Sequence, residues 1–385
     1  MNSKRIKKTG SRLIRTIAYA MLILAFIYGK FFRPSEYTTE QLAGLIQAEL
    51  VEDGQTGKNY VFTDKGSDTG ERLLIGEAQG YGGPLCVAIL VDISGFIKEV
   101  LIVDERETFA FIEKLYINNF FKRFIGKKIN DPLEVGEDID AVSGCTISSV
   151  GFSQAVQEAS YKKAIKDGLS VHENIVSWKI GLEEFFVLLC IVLGIVSFYL
   201  KKKTIRYISL ACGFIVIGFY VNASLSLSHF GRLFLGFLPA IQTNLIWWLL
   251  AIVSIGFALF MRKNIYCHSI CPFHAAQIVL MKISGIKLSL TKKVQQVAKH
   301  TSSFLLWMAL MIIFIGNNPS AGSYEPFAML FSLEGAGIQW YMLPAALIGA
   351  MLVPDFYCRY FCPVGRALNS LCKLGKYFKP QKRVL

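Results

Sequence analysis

Apolar and polar residues are sorted along this chain into long blocks. Near-continuous apolar runs occur at 13–28, extending to Phe32 if Lys30 carries its ammonium to water, and at 182–200, 207–227, 245–261, 302–315 and 341–356. Read as membrane helices they make six spans, although several fall short of the roughly 20 residues that a hydrocarbon core needs. Trp307, Trp340 and Tyr341 stand where ring side chains extend a short span into the interface. Between the first two runs the period changes. Leu42, Leu45, Ile46 and Leu50 fall at helical spacing after a cap at Thr38 or Thr39, and 60–63, 71–78, 84–92 and 96–103 read as short strands. Residues 92–95 read as a hairpin turn, 108–125 as a second helix, and a third follows Thr146. The expected fold class is a small α+β domain joined to an α-helical membrane domain.

Charge adds orientation to this pattern. The 385 residues are 53% hydrophobic yet carry a net charge of +13. Segments 1–15, 201–206, 262–300 and 359–385 hold 24 of the 41 lysines and arginines and no acid, so the remainder is net −11. Sorting of that kind marks membrane sidedness, and nucleic-acid binding is not needed to explain the basic balance. The basic flank before the first run places the N-terminus in the cytoplasm, and no small-x-small cleavage site follows the run, which favours a retained signal anchor over a cleaved signal peptide. The expected domains are a signal anchor at 1–32, an extracytoplasmic domain at 33–177, a second span at 178–206, and a four-helix membrane region at 207–385 with both termini inside. Residues 207–272 and 302–363 share an order of helix, outer loop (233–239 or 326–333), helix and cysteine pair. This is the signature of a parallel internal repeat, which would bring the two pairs together on the cytoplasmic face.

Two stretches carry candidate chemistry. Residues 140–149 read DAVSGCTISS: Ser143, Gly144 and Cys145 leave the backbone bare, and Thr146, Ser148 and Ser149 supply hydroxyls as a helix begins. A helix start is a ready phosphate site, and the same letters also make an ordinary N-cap. Cys267 and Cys271 form one C-x-x-x-C-P motif and Cys358 and Cys362 another. If the segments are helical, each pair shares a face, and four thiolates suit a [4Fe-4S] cluster, with zinc or simple packing as alternatives. Arg262, Lys263, Arg359 and Arg366 lie close enough in sequence to favour thiolate. Cys190, Cys212 and Cys372 read as packing cysteines. Cys86 and Cys145 both fall in the extracytoplasmic domain, and spacing does not say whether they pair. His268 and His274 flank the first motif and read as solvated loop histidines, and Glu183 and Glu184 read as a water-boundary pair. No phosphate-binding loop, dinucleotide fingerprint or hydrolytic triad is present in the sequence, and no residue is assigned a catalytic role.

The string D-x-x-S-G-x-T at Asp140, Ser143, Gly144 and Thr146 resembles the flavinylation motif of the FMN-binding domain family. That family includes the flavin subunits of the Rnf and sodium-translocating NADH:quinone oxidoreductase complexes and the extracytoplasmic domain of NosR-like membrane proteins. The resemblance implies FMN linked through its phosphate to Thr146 by a dedicated flavin transferase, in a loop shaped by Asp140, Ser143, Gly144, Cys145 and Ser148. Cys145 stands where alanine is usual. The GYGG turn at 80–83 resembles the family's glycine-rich turn near the isoalloxazine ring, which makes Tyr81 a secondary contact. FYCRYFCPVGRAL at 356–368 and IYCHSICPFHAAQ at 265–277 resemble the twin motifs of NosR-like and polyferredoxin-type proteins. They imply a [4Fe-4S] cluster on Cys267, Cys271, Cys358 and Cys362; His274 stands where glycine is usual, and no soluble ferredoxin motif pair follows within the sequence.

The function expected is electron transfer in a bacterial cytoplasmic (inner) membrane, between a cytoplasmic-side iron–sulfur site and a covalently bound extracytoplasmic FMN, as an oxidoreductase component and not a self-contained enzyme. The alternative is a NosR-like redox sensor or maturation scaffold for an extracytoplasmic metalloenzyme. The partners implied are the flavin transferase, a redox protein or the quinone pool, and membrane lipid, with no nucleic acid. A hydrocarbon core of about 30 Å separates an outer flavin from a cluster at the cytoplasmic surface, so something must bridge them.

Overall fold

The computed structural model describes residues 2–32, 49–52, 59–64, 67–80, 82–107, 109–172, 181–242, 244–333 and 337–378. They divide into two compact units, Ile27–Ile175 with Phe234–Pro239, and a helical unit of Met1–Phe26, Val176–Leu233 and Ala240–Leu385.

The first unit is built on a five-stranded antiparallel meander, β1 (Glu49–Glu52), β2 (Asn59–Asp64), β3 (Ser67–Gln79), β4 (Pro84–Val91) and β5 (Ile97–Asp104), paired in that order. β3 and β4 show the strand period on two buried faces. Leu74, Leu85, Val87, Ile89 and Val91 join one core cluster, whereas Leu73, Ile75, Cys86 and Ala88 form another. The β4–β5 turn forms as expected, with Asp92 Oδ1 accepting from the amides of Ser94 at 2.8 Å and Phe96 at 2.9 Å. The helix Thr146–Lys166 lies against β3 and β4, and it approaches closely because Gly76 has no side chain: a Cβ there would stand 2.0 Å from the Ala155 carbonyl oxygen.

Two local expectations differ. The second helix stops at Ile117 and does not reach residue 125. Asn119 takes a left-handed φ of 51°, and the amides of Phe120 and Asn119 return to the carbonyls of Leu115 and Tyr116, a helix-terminating arrangement that asparagine tolerates. A 3-10 turn, Phe121–Phe124, then delivers Phe120 and Phe124 to the core at 0% exposure. Leu50, expected on the helix after Thr38 or Thr39, lies in β1, and the rest of that helix lies outside the described residues.

In the helical unit, three helices among the described residues are long and apolar enough to cross a membrane, Leu13–Phe31, Leu182–Leu200 and Lys203–Tyr220, and not the six expected. The other three apolar stretches, Leu245–Met261, His300–Gly316 and Gln339–Leu352, are shorter. The expected run to residue 227 ends at Tyr220, and the run to 356 ends at Leu352, where Asp355 takes a left-handed φ of 55° before a separate short helix. Averaged hydropathy had fused elements that the backbone separates. The expected internal repeat is not shown by the described residues. The N-terminal helix rests on Lys292–Gly316, where Trp307 Nε1 donates to the Ala18 carbonyl at 3.0 Å and the rings of Phe26 and Phe314 meet edge to face.

Candidate functional site

In the sheet unit, Thr146 is the first residue of its helix and is exposed, and the preceding Cys145 offers no side-chain cap. No side-chain cap closes this helix start, and the exposed Thr146 hydroxyl stands beside its first turn. Gly144 has a φ of +77°, a conformation that glycine adopts without strain. Ser143 and Asp140 are exposed, and the Asp140 carbonyl accepts from Arg123. Cys145 and Ser148 point the other way. Cys145 is 3% exposed with its sulfur toward the Phe111 carbonyl at 3.9 Å, and Ser148 is 1% exposed.

Ser148 leads to a residue that the sequence reading missed. Its hydroxyl donates to Glu107 Oε2 at 2.8 Å, and Glu107 Oε1 accepts from the Gly82 amide at 3.1 Å. The buried Glu107 carboxylate thus pins the glycine-rich turn to the first helical turn. Close backbone contact adds to this, since a Cβ on Gly151 would stand 2.9 Å from Gly80 Cα. The GYGG turn and Thr146 consequently belong to one surface, although Tyr81 itself lies outside the described residues. Cys86 and Cys145 form no disulfide with each other and belong to the two different core clusters, so the sheet stands between them.

In the helical unit, Cys267, Cys271, Cys358 and Cys362 line one cavity of about 70 Å³, together with Asn264, Tyr266, Phe273, Phe327 and Gly365. Each C-P pair starts a helix with proline, which lacks an N–H, and the amides behind it face the cysteine sulfur: those of Phe273 and His274 for Cys271, and that of Gly365 at 3.3 Å for Cys362. Gly365 sits among the sulfurs, its absent Cβ position 3.7 Å from Cys267 Sγ and Cys362 Sγ. Gln277, 1% exposed, joins the motifs: its Nε2 donates to Cys358 Sγ at 2.9 Å and its Oε1 accepts from the Tyr357 amide at 3.0 Å. His274, expected to be solvated, is 8% exposed and bridges the Cys267 carbonyl at 2.6 Å and Asp355 Oδ1 at 3.3 Å. His268 is exposed, and Cys190, Cys212 and Cys372 do not line the cavity.

The basic neighbours do not make these cysteines thiolates. Burial is the largest influence on all four and pushes their thiols up, that of Cys271 to about 11. Arg359 instead pairs with Asp355 at 3.6 Å. Four cysteine sulfurs lining one cavity, with N–H donors aimed at sulfur, fit the ligand set of an iron–sulfur cluster.

Ile270, beside Cys271, rests on Gly194 and Gly213, and each glycine is about 10 Å of helix rise from the basic rim at Lys201 and Arg206. Segments of the expected third run and second outer loop meet residues around the cavity. Tyr266 Oη accepts from the Leu225 amide at 2.9 Å, Tyr324 donates to the Phe361 carbonyl at 2.7 Å, and Phe327 forms part of the wall. A Cβ at Gly213 would stand 2.3 Å from the Ile270 carbonyl oxygen, whereas one at Gly256 meets nothing within 4 Å. Gly213→Val is therefore expected to cost about 1–3 kcal/mol and to lower iron retention, with Gly256→Ala near neutral, as read by thermal unfolding and iron content.

Comparison with known proteins agrees with these two sites. Residues 80–160 match the FMN-binding domain family, and residues 243–291 and 341–375 match the 4Fe-4S binding domain family. Protein NirI of Paracoccus denitrificans is 26% identical over 190 residues, 45% of this chain and 27% of the relative. The regulatory protein NosR of Pseudomonas aeruginosa is 27% identical over 116 residues, 28% of this chain and 16% of the relative. The matched part spans about a quarter or less of these relatives' length. The chain thus carries an FMN-binding domain match at 80–160 and a 4Fe-4S binding match in two pieces beyond it, with partial similarity to NirI and NosR.

Proposed function

We propose that the protein is a membrane electron-transfer component that passes electrons between FMN joined by a phosphoester to Thr146 and a [4Fe-4S] cluster on Cys267, Cys271, Cys358 and Cys362. The observation that carries this reading is the convergence of the two C-x-x-x-C-P motifs on one cavity, with N–H donors already aimed at sulfur. FMN exchanges one or two electrons and a [4Fe-4S] cluster exchanges one. The chain's own residues hold these groups in place. Gln277 and the Gly365 amide stabilise charge on sulfur, Tyr266 and Phe273 exclude water, and the Glu107 bridge fixes the loop beside Thr146.

The sorted basic segments support a cytoplasmic-membrane location with the FMN domain outside. A quinone or a partner redox protein completes the route in this reading, and a flavin transferase loads Thr146. The test is anaerobic reduction of the purified, fully loaded chain by a quinol or a soluble donor. Bleaching of flavin and iron–sulfur absorbance at a catalytic rate supports the relay; stable cofactors that do not respond sink it. A second reading, a redox sensor or maturation scaffold for an extracytoplasmic metalloenzyme, is favoured by the likeness to a regulatory protein. It gains if both groups are bound but inert to turnover.

A further inference from the structure

A second cavity in the helical unit, of about 270 Å³, is lined by Ser197, Phe198, Lys201, Lys202, Lys203, Arg206, Lys263 and His268, and by no carboxylate. It lies at the bend between Leu182–Leu200 and Lys203–Gly213, where Lys201 takes a left-handed φ of 53°. That bend places three consecutive lysines around one opening. Arg206 is held at the wall by its Nε donating to the His268 carbonyl at 3.0 Å. The floor is polar as well. Ser197 is 1% exposed, and its hydroxyl has no hydrogen-bond partner among the described residues. A buried hydroxyl without a partner below a ring of cations is costly unless an acceptor enters.

We propose that this pocket binds a phosphate-type anion, with the Ser197 hydroxyl and the surrounding lysines and Arg206 as its donors, and that its source is the phosphodiester headgroup of an anionic membrane lipid. Phosphate suits the site because it accepts several hydrogen bonds at once and offsets clustered positive charge. The lipid source follows from the pocket's place. It opens at the ends of two helices apolar enough to cross a membrane, and the apolar side chains flanking it, Tyr199, Leu200, Tyr207 and Ile208, are 60%, 53%, 43% and 54% exposed. Acyl chains along those residues would bring a headgroup to the lysines.

The test uses the full chain in detergent, with retained lipid read by native mass spectrometry against phosphatidylglycerol and phosphatidylcholine, and with millimolar inorganic phosphate as competitor. Preferential retention of phosphatidylglycerol, falling on the order of fivefold for each lysine removed in Lys202→Gln and Lys263→Gln, is the expected result. Ser197→Ala, which leaves every charge in place, lowers retention without changing thermal unfolding or iron content. Phosphate binding by the wild type without lipid selectivity upholds the anion site but overturns the lipid source. Absence of both, or equal retention by wild type and all three variants, overturns the proposal.

Discussion

Cys358→Ala is expected to remove essentially all iron–sulfur absorbance from the purified protein, and Cys267→Ala, Cys271→Ala and Cys362→Ala to do the same. All four sulfurs line one enclosed cavity, so a missing thiolate leaves a coordination position that no neighbouring side chain fills. The loss is not a folding effect. Deleting one buried sulfur costs about 1 kcal/mol, small against the stability of a multi-helix unit, so thermal unfolding of the iron-free protein should change little between wild type and variant. Cys372→Ala, outside the cavity, should keep its iron. Gln277→Leu provides the graded case. It keeps every ligand but removes the amide that donates to Cys358 Sγ and accepts from the Tyr357 amide, and should weaken cluster retention about 10–100-fold. If Cys358→Ala and Cys362→Ala retain iron together with the wild-type spectrum, the site assignment falls.

How much of this was legible depends on whether the signal was local. The C-x-x-x-C-P spacing and the S-G-x-T string are contiguous, so the ligand candidates and Thr146 could be picked out directly. The strands β3 to β5 showed their two-residue period and turn chemistry plainly. By contrast, β1 is four residues, ELVE, with an acid at each end, and offers no strand signal. The packing beside the cavity was hidden because it rests on Gly194 and Gly213 meeting Ile270, contacts that no hydropathy window registers. Glu107 and Gln277 were missed for the same reason. Each is a single polar residue whose meaning comes from partners far along the chain, Ser148 in one case and the second cysteine motif in the other. The expectation of six spans failed because averaging over a window cannot see a left-handed residue such as Asp355 interrupt an apolar stretch.

Thr146→Ala is expected to abolish flavin fluorescence in a denaturing gel while leaving the sheet unit folded. Thr146 is exposed and is not the helix cap, so its loss removes neither packing nor a capping bond, and the change in stability should stay within about 0.5 kcal/mol. Thr146→Ser keeps a hydroxyl at the uncapped helix start and should restore part of the fluorescence. Cys145→Ala separates attachment from packing. The thiol occupies the position where alanine is usual in the FMN-binding family, yet it points into the core toward the Phe111 carbonyl and not into the path of an incoming phosphate. Cys145→Ala should therefore leave flavin labelling unchanged and cost about 1 kcal/mol by emptying a small core volume. The two substitutions are adjacent in sequence and opposite in direction, one facing solvent and one facing the core, which makes the pair a direct test of which side of the loop meets the flavin. Fluorescence that survives in Thr146→Ala would move the attachment away from this residue, and loss of labelling in Cys145→Ala would show that the core beneath the loop takes part in it.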